Sequence, residues 1–87
     1  MLDELLNQRV VLDLRSSFVC LGTLKRVDVD LLELRNADLH DLRDTETTRE
    51  NYVAESRTTG IKRNRKRVIV FRSEVVAIAA LDDVVAE

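Results

Sequence analysis

The residues best suited to chemistry in this chain are cationic and gathered in one place. Lys62-Arg63-Asn64-Arg65-Lys66-Arg67 sets five basic side chains into six positions, with the Asn64 amide able to hydrogen-bond a sugar or a phosphate. Arg72 follows at the end of an apolar run, with Ser73 beside it, and a second polar group, Asp28-Val29-Asp30, lies between alternating apolar segments. Behind a formal net charge of -2, residues 1–44 hold 6 Lys/Arg against 9 Asp/Glu, residues 45–72 hold 8 against 3, and residues 73–87 hold 0 against 4. A phosphate partner would therefore be met locally, by the middle of the chain, with an affinity that falls as salt rises. A run of charge also serves as a solvated linker, and both readings stand for residues 62–67.

Catalytic chemistry has little material. His40 is the only histidine, flanked by Asp38 and Asp41, and no Ser/His/Asp or Cys/His spacing accompanies it. It reads as a surface residue late in a strand. Asp38, Asp41 and Asp44 read as solvated carboxylates rather than metal ligands, and with only Gly22 and Gly60 there is no phosphate-cradling glycine loop. The expectation is a non-enzymatic protein with no cofactor and no metal. Cys20 is the single cysteine, so no disulfide within the chain is available; it reads as a small core residue of a protein from a reducing compartment. No apolar stretch approaches the roughly 20 residues that cross a bilayer, and no secretion signal is evident, so a cytoplasmic location without a membrane partner is expected.

These side chains need a scaffold, and 87 residues provide one domain with a modest core. Leu2-Asp3-Glu4-Leu5-Leu6 suits one or two turns of helix, which Asn7 can end. Val10, Leu12 and Leu14 then alternate with Val11, Asp13 and Arg15, as in a half-buried strand, and Ser16-Ser17 marks a turn. A second strand runs from Phe18 to Arg26, with Gly22 marking a bend or a close backbone approach. A third places Leu32, Leu34 and Asn36 on one face and Leu31, Glu33, Arg35, Ala37 and Leu39 on the other.

Residues 44–61 interrupt the pattern. Thr47-x-x-Glu50 has the form of a capping box and Gly60 that of a helix terminator, which predicts a short helix over about 48–58 with Tyr52, Val53 and Ser56 inward. An irregular loop is the alternative. Val68-Ile69-Val70-Phe71 is strand-forming, and Val75 to Leu81 is uncharged and apolar on both faces. The alanines at 77, 79 and 80 also allow a terminal helix over 75–86. As strands, two such segments need cover on both faces and expose adhesive edges unless a neighbouring copy pairs with them. Val68, Val70, Val75 and Ile78 are the expected contact residues between copies.

The pattern resembles the Sm and Sm-like superfamily, which includes bacterial Hfq. Gly22-x-Leu24-x-x-Val27-Asp28 followed by Leu32-x-Leu34-x-Asn36 is similar to the first Sm motif, and Phe71-Arg72-Ser73-Glu74-Val75-Val76-Ala77-Ile78 to the second, in a shorter form nearer Hfq. The likeness covers about residues 2–43 and 62–81. It implies a mainly β, strongly bent five-stranded antiparallel barrel with a short N-terminal helix, a variable helical insert at 44–61, and a C-terminal tail at 82–87, all in one domain. It also implies a ring of about six or seven copies closed through the fourth and fifth strands. In such rings, loops after the second and fourth strands bind single-stranded RNA at the pore; here these are Asp28, Val29 and Asp30 with Arg72 and Ser73. Asp30 stands where the Hfq form has a stacking aromatic, Val29 at the amide position, Ser73 at the histidine position, and Leu32 where the eukaryotic motif has asparagine. The familiar uridine pocket is therefore expected to be altered, with RNA bound weakly or atypically, or not at all in a protein-interaction scaffold.

Overall fold

In the computed structural model, residues 1–85 are described, so the last two residues of the expected tail lie outside the description. Five strands form one antiparallel sheet: β1 (Arg9–Leu14), β2 (Phe18–Val27), β3 (Leu31–Asp41), β4 (Arg65–Phe71) and β5 (Val75–Ala80), in the order β4-β3-β2-β1-β5. One helix, α1 (Arg49–Thr59), is inserted between β3 and β4. The sheet is strongly bent but not closed by hydrogen bonds, since β4 and β5 each pair with one neighbour and not with each other. The strand reading of residues 75–80 holds over the terminal helix.

The short N-terminal helix is a single 3-10 turn, Leu2–Leu5. Asn7 ends it with a positive φ of 68°, a conformation asparagine tolerates better than most residues. The Asn7 N–H donates to the Leu24 carbonyl at 2.7 Å, and the Leu24 N–H donates to the Gln8 carbonyl at 3.0 Å, which staples the turn to β2. Leu2, Leu5 and Leu6 thereby close over the inner core of Val10, Leu12, Cys20, Leu24, Leu32, Leu34, Ala37 and Val70.

Two irregularities bend the sheet. Register shifts between Leu21 and Thr23 because Asn36 and Ala37 together oppose Gly22, and Asn36 adopts a positive φ of 50°. A Cβ on Gly22 would lie 3.0 Å from the Ala37 Cβ and 3.1 Å from the Arg35 carbonyl oxygen, so this glycine permits a close approach of backbones. The bulge also reverses the alternation of β3. Ala37 joins Leu32 and Leu34 in the core, contrary to the expected faces, and Asn36 is exposed. A second shift, between Leu24 and Arg26, places the extra residue on β2.

The helical insert packs on the outer face of the sheet. Its N-cap is Thr48, whose hydroxyl accepts from the Asn51 N–H at 3.1 Å, so the expected Thr47/Glu50 box is displaced by one residue. Val53 and Ser56 are buried as expected, and Val53 joins Val11, Val19, Leu21 and Leu81 in a second core, with Tyr52 and Ile61 packed against it. Strand β1 is consequently buried through Val11 as well as through Val10 and Leu12, rather than half-buried. Gly60 ends the helix at φ 99°, its N–H donating to the Ser56 carbonyl at 2.9 Å.

Candidate functional site

The fold brings the two expected loops together. The Arg72 backbone N–H donates to the Asp30 carbonyl at 2.9 Å, and the Arg72 Nη1 donates to the Asp28 carbonyl at 2.8 Å. Arginine thus fastens the β2–β3 loop to the β4–β5 turn through backbone oxygens, not through the carboxylates of Asp28 or Asp30. The Asp28 carboxylate instead accepts from the Val29 N–H at 3.0 Å and lies 3.7 Å from Arg26. Asp28, Val29, Asp30 and Ser73 are exposed and Arg72 half-exposed, giving a surface with two exposed carboxylates, Asp28 partly engaged, and one partly engaged guanidinium. The Ser73 carbonyl accepts from the Arg15 Nε at 2.7 Å, so Arg15 belongs to this corner too, a long-range contact that spacing in the sequence does not announce.

The basic run divides by function within the fold. Asn64 is structural: its amide nitrogen donates to Asp38 Oδ1 at 3.2 Å and to the Leu39 carbonyl at 3.0 Å, while its Oδ1 accepts from the Leu39 N–H at 3.0 Å. Both amide hydrogens are used, which removes the reason for offering this residue to a ligand. Arg67 donates to Glu33 at 3.0 and 3.4 Å, Arg63 to Asn36 Oδ1 at 2.7 Å, and Lys62 lies 3.9 Å from Glu55. Glu33 also accepts from Arg35 at 2.7 Å; these hydrogen bonds, Arg67's first, hold its carboxyl down to about 2. Arg65 donates to the Asn64 carbonyl at 3.1 Å, and Lys66 has no side-chain partner among the described residues.

The strand edges are open, and the contact residues expected from the sequence lie on the core-facing side of β4 and β5, all half-buried except the buried Val70. Val70 is buried in the inner core, and Val68, Val75 and Ile78 pack against it. Large apolar side chains on β4 and β5 that do face solvent are Ile69 at 43%, Phe71 at 63% and Val76 at 67% exposure. Both segments are apolar on both faces, so the sequence carried no phase to separate inward from outward residues. Beside the β4 edge, Leu14, Phe18, Leu39, Val68 and Val70 line an apolar cleft.

A polar cluster escaped the sequence reading. Asp38 is 2% exposed rather than solvated, and it accepts from the Tyr52 hydroxyl as well as from Asn64. Burial, with the Asp38 hydrogen bond next, pushes the Tyr52 phenol above its ordinary range. His40 stacks on the Tyr52 ring with centroids 4.2 Å apart, so it is half-buried against α1 rather than a free surface side chain, and its Nε2 is buried without a partner. Among the described residues, no group of three or more His, Cys, Asp or Glu is arranged to hold a metal ion.

A five-stranded, bent, open-edged sheet with its β2–β3 loop clasped to its β4–β5 turn is the class of structure this chain adopts. No protein-family model matches the sequence, and no curated protein matches it. Among solved structures it is similar to the Sm protein of Pyrococcus abyssii in complex with a uridine heptamer, with a TM-score of 0.64 and 18% identity over 91% of this chain and 90% of that one. The chain has the Sm fold.

Proposed function

We propose that this protein assembles into a homo-oligomeric ring through β4 and β5 and contacts single-stranded RNA weakly, by a mode unlike uridine stacking. The observation that carries the ring is the pair of open edges at opposite ends of one sheet, bearing exposed Ile69 and Phe71 on one and Val76 on the other. Unpaired edges of this kind are stable in solution when another strand covers them. A head-to-tail contact between two different edges repeats until it closes. The tight β4–β5 turn at Arg72–Glu74 favours the Hfq form of such a ring, and a copy number of about six or seven follows from the resemblance.

For RNA, support comes from the solved Sm protein, which binds a uridine heptamer, and from Arg72 in the clasped loops. Lys62 and Arg63 are exposed and add positive charge. Asp28 and Asp30 oppose phosphate, which is why the affinity is low. One observation favours a ring that serves only as a protein scaffold: Asn64 and Arg67, though exposed, are engaged by partners within the chain, and residues 28–30 and 72–74 hold no aromatic. The single buried thiol suits a reducing compartment such as the cytoplasm, and among the described residues no helix is long and apolar enough to cross a membrane.

Light scattering tests the ring. The parent should measure as a multiple of 10.0 kDa at micromolar concentration, and Ile69→Glu with Val76→Glu should reduce it to folded monomer. A parent that is monomeric refutes the ring. Titration of a random single-stranded RNA pool should show binding that weakens steeply from low to moderate salt and drops further in Arg72→Ala. An intact ring with no binding at low salt leaves the scaffold reading.

A further inference from the structure

We propose that Arg65 and Lys66 form the electrostatic key of the contact between copies, seated against Asp82 and Asp83 of a second copy of this chain. The inference rests on the ring reading and gives it a register. Strand β4 opens on cations and ends in apolar residues, whereas β5 opens on apolar residues and runs directly into a 3-10 turn, Leu81–Asp83, that carries two carboxylates. The two edges therefore have matching polarity only when laid antiparallel. With Phe71 opposite Val75, Val68 meets Ile78, Lys66 meets Ala80 and Arg65 meets Leu81, which sets Lys66 diagonal to Asp82 and Arg65 diagonal to Asp83 on shared faces. A parallel pairing would set Arg65 against Val75 and Phe71 against Leu81, cation on hydrocarbon. Antiparallel is also how every other pair in this sheet is made.

The charges concerned are available. Lys66 and Asp83 make no side-chain hydrogen bond or ion pair among the described residues, and Arg65 spends one nitrogen on the Asn64 carbonyl. Among the described residues Asp82 accepts only from Arg9, at 3.1 Å, and its side chain remains 80% exposed. No ion pair joins Arg65 or Lys66 to Asp82 or Asp83 within the chain, because β4 and β5 stand at opposite ends of the sheet. Complementary charges left apart on two edges are the arrangement expected where the partner is another copy. They would act chiefly on register and on rejection of mispaired edges, with apolar strand contact supplying most of the affinity.

Charge reversal tests this in a way that separates it from the ring reading. Arg65→Glu with Lys66→Glu gives a chain acidic on both edges, and Asp82→Lys with Asp83→Lys gives one basic on both. Each alone should need about tenfold more protein to reach half assembly than the parent at low salt, read by light scattering. The chain carrying all four substitutions should assemble like the parent, and an equimolar mixture of the two double variants should assemble by alternation if the copy number is even. If both double variants assemble like the parent, or the fourfold chain fails to recover, the proposal is overturned while the ring stands. If Arg65→Glu with Lys66→Glu abolishes RNA binding and leaves assembly untouched, the run belongs to nucleic acid and the proposal fails. A monomeric parent overturns both.

Discussion

The close approach at Gly22 makes a demand that one methyl group can test. In Gly22→Ala the new Cβ meets the Ala37 Cβ at 3.0 Å, the Arg35 carbonyl oxygen at 3.1 Å and the Ala37 Cα at 3.2 Å. Carbon atoms rest at about 3.5–4.0 Å, so β3 must retreat by some tenths of an ångström exactly where its bulge already holds Asn36 at positive φ. Overfilling of this kind costs about 1–3 kcal/mol, and the reduced freedom of the unfolded chain returns about 0.4–1 kcal/mol. The net expectation is a loss of about 1–2 kcal/mol, read as a lower urea midpoint with unchanged slope. Chain concentration must be held constant, because association with the folded state raises apparent stability. Adding Ala37→Gly removes the 3.0 Å contact but leaves the carbonyl oxygen and Cα, so the double variant should show a favourable coupling of about 0.5 kcal/mol or more and incomplete recovery. A Gly22→Ala protein as stable as the parent, or strictly additive effects, would refute the steric account of the bend.

Other outcomes follow from the same geometry. Burial, with Asp38 adding to it, pushes the Cys20 thiol up to about 12, so a thiol-specific disulfide reagent at pH 8 should react only in denaturant; native labelling at the rate of a free cysteine would contradict the core placement. Glu33 has its carboxyl held down to about 2, against about 4.3 in an unfolded chain, so its stabilisation is complete above about pH 4.3 and lost as pH falls toward 2. The urea midpoint of Glu33→Gln should therefore fall less than the parent's across that window, and equal slopes would count against the Arg67–Glu33–Arg35 arrangement. Thr48→Ala should cost about 1 kcal/mol in urea unfolding while Thr47→Ala costs little, and the reverse order would restore the capping box at Thr47.

Much of the scaffold was legible because its signals are local. Alternation around Val10 and Leu12, the turn at Ser16-Ser17, the glycine at the bend and the terminator at Gly60 each act within a few residues. What escaped depends on contacts far apart in the chain. Tyr52 of α1, Asp38 of β3 and Asn64 of the segment before β4 meet, and nothing in their spacing foretells the hydrogen bonds that bury the carboxylate. Thr47 and Thr48 both stand three residues before a plausible helical partner, so choosing between them required the turn itself. In β4 and β5 the difficulty was different: a segment apolar on every side offers no contrast from which to infer which side is inside. The loop pair was found through resemblance, whereas Arg72's choice of backbone carbonyls over carboxylates required coordinates.

The bulge at Asn36 works as a change of phase within one strand. Before it, even-numbered residues enter the core; after it, odd-numbered ones do, which frees Asp38 and His40 to lie beneath α1. One continuous strand thus serves two compartments with opposite chemistry, hydrocarbon on the concave side and hydrogen bonds on the convex side. The insert is tied to the barrel by arithmetic as much as by contact. Pairing Asn36 in strict alternation, with no bulge, would drive a carboxylate and an imidazole into hydrocarbon and turn Ala37 and Leu39 outward, whereas deleting Asn36 would keep both faces as they are and remove only the bulge. The bulge, held by Asn36 at positive φ, is therefore what assigns each half of β3 to its compartment.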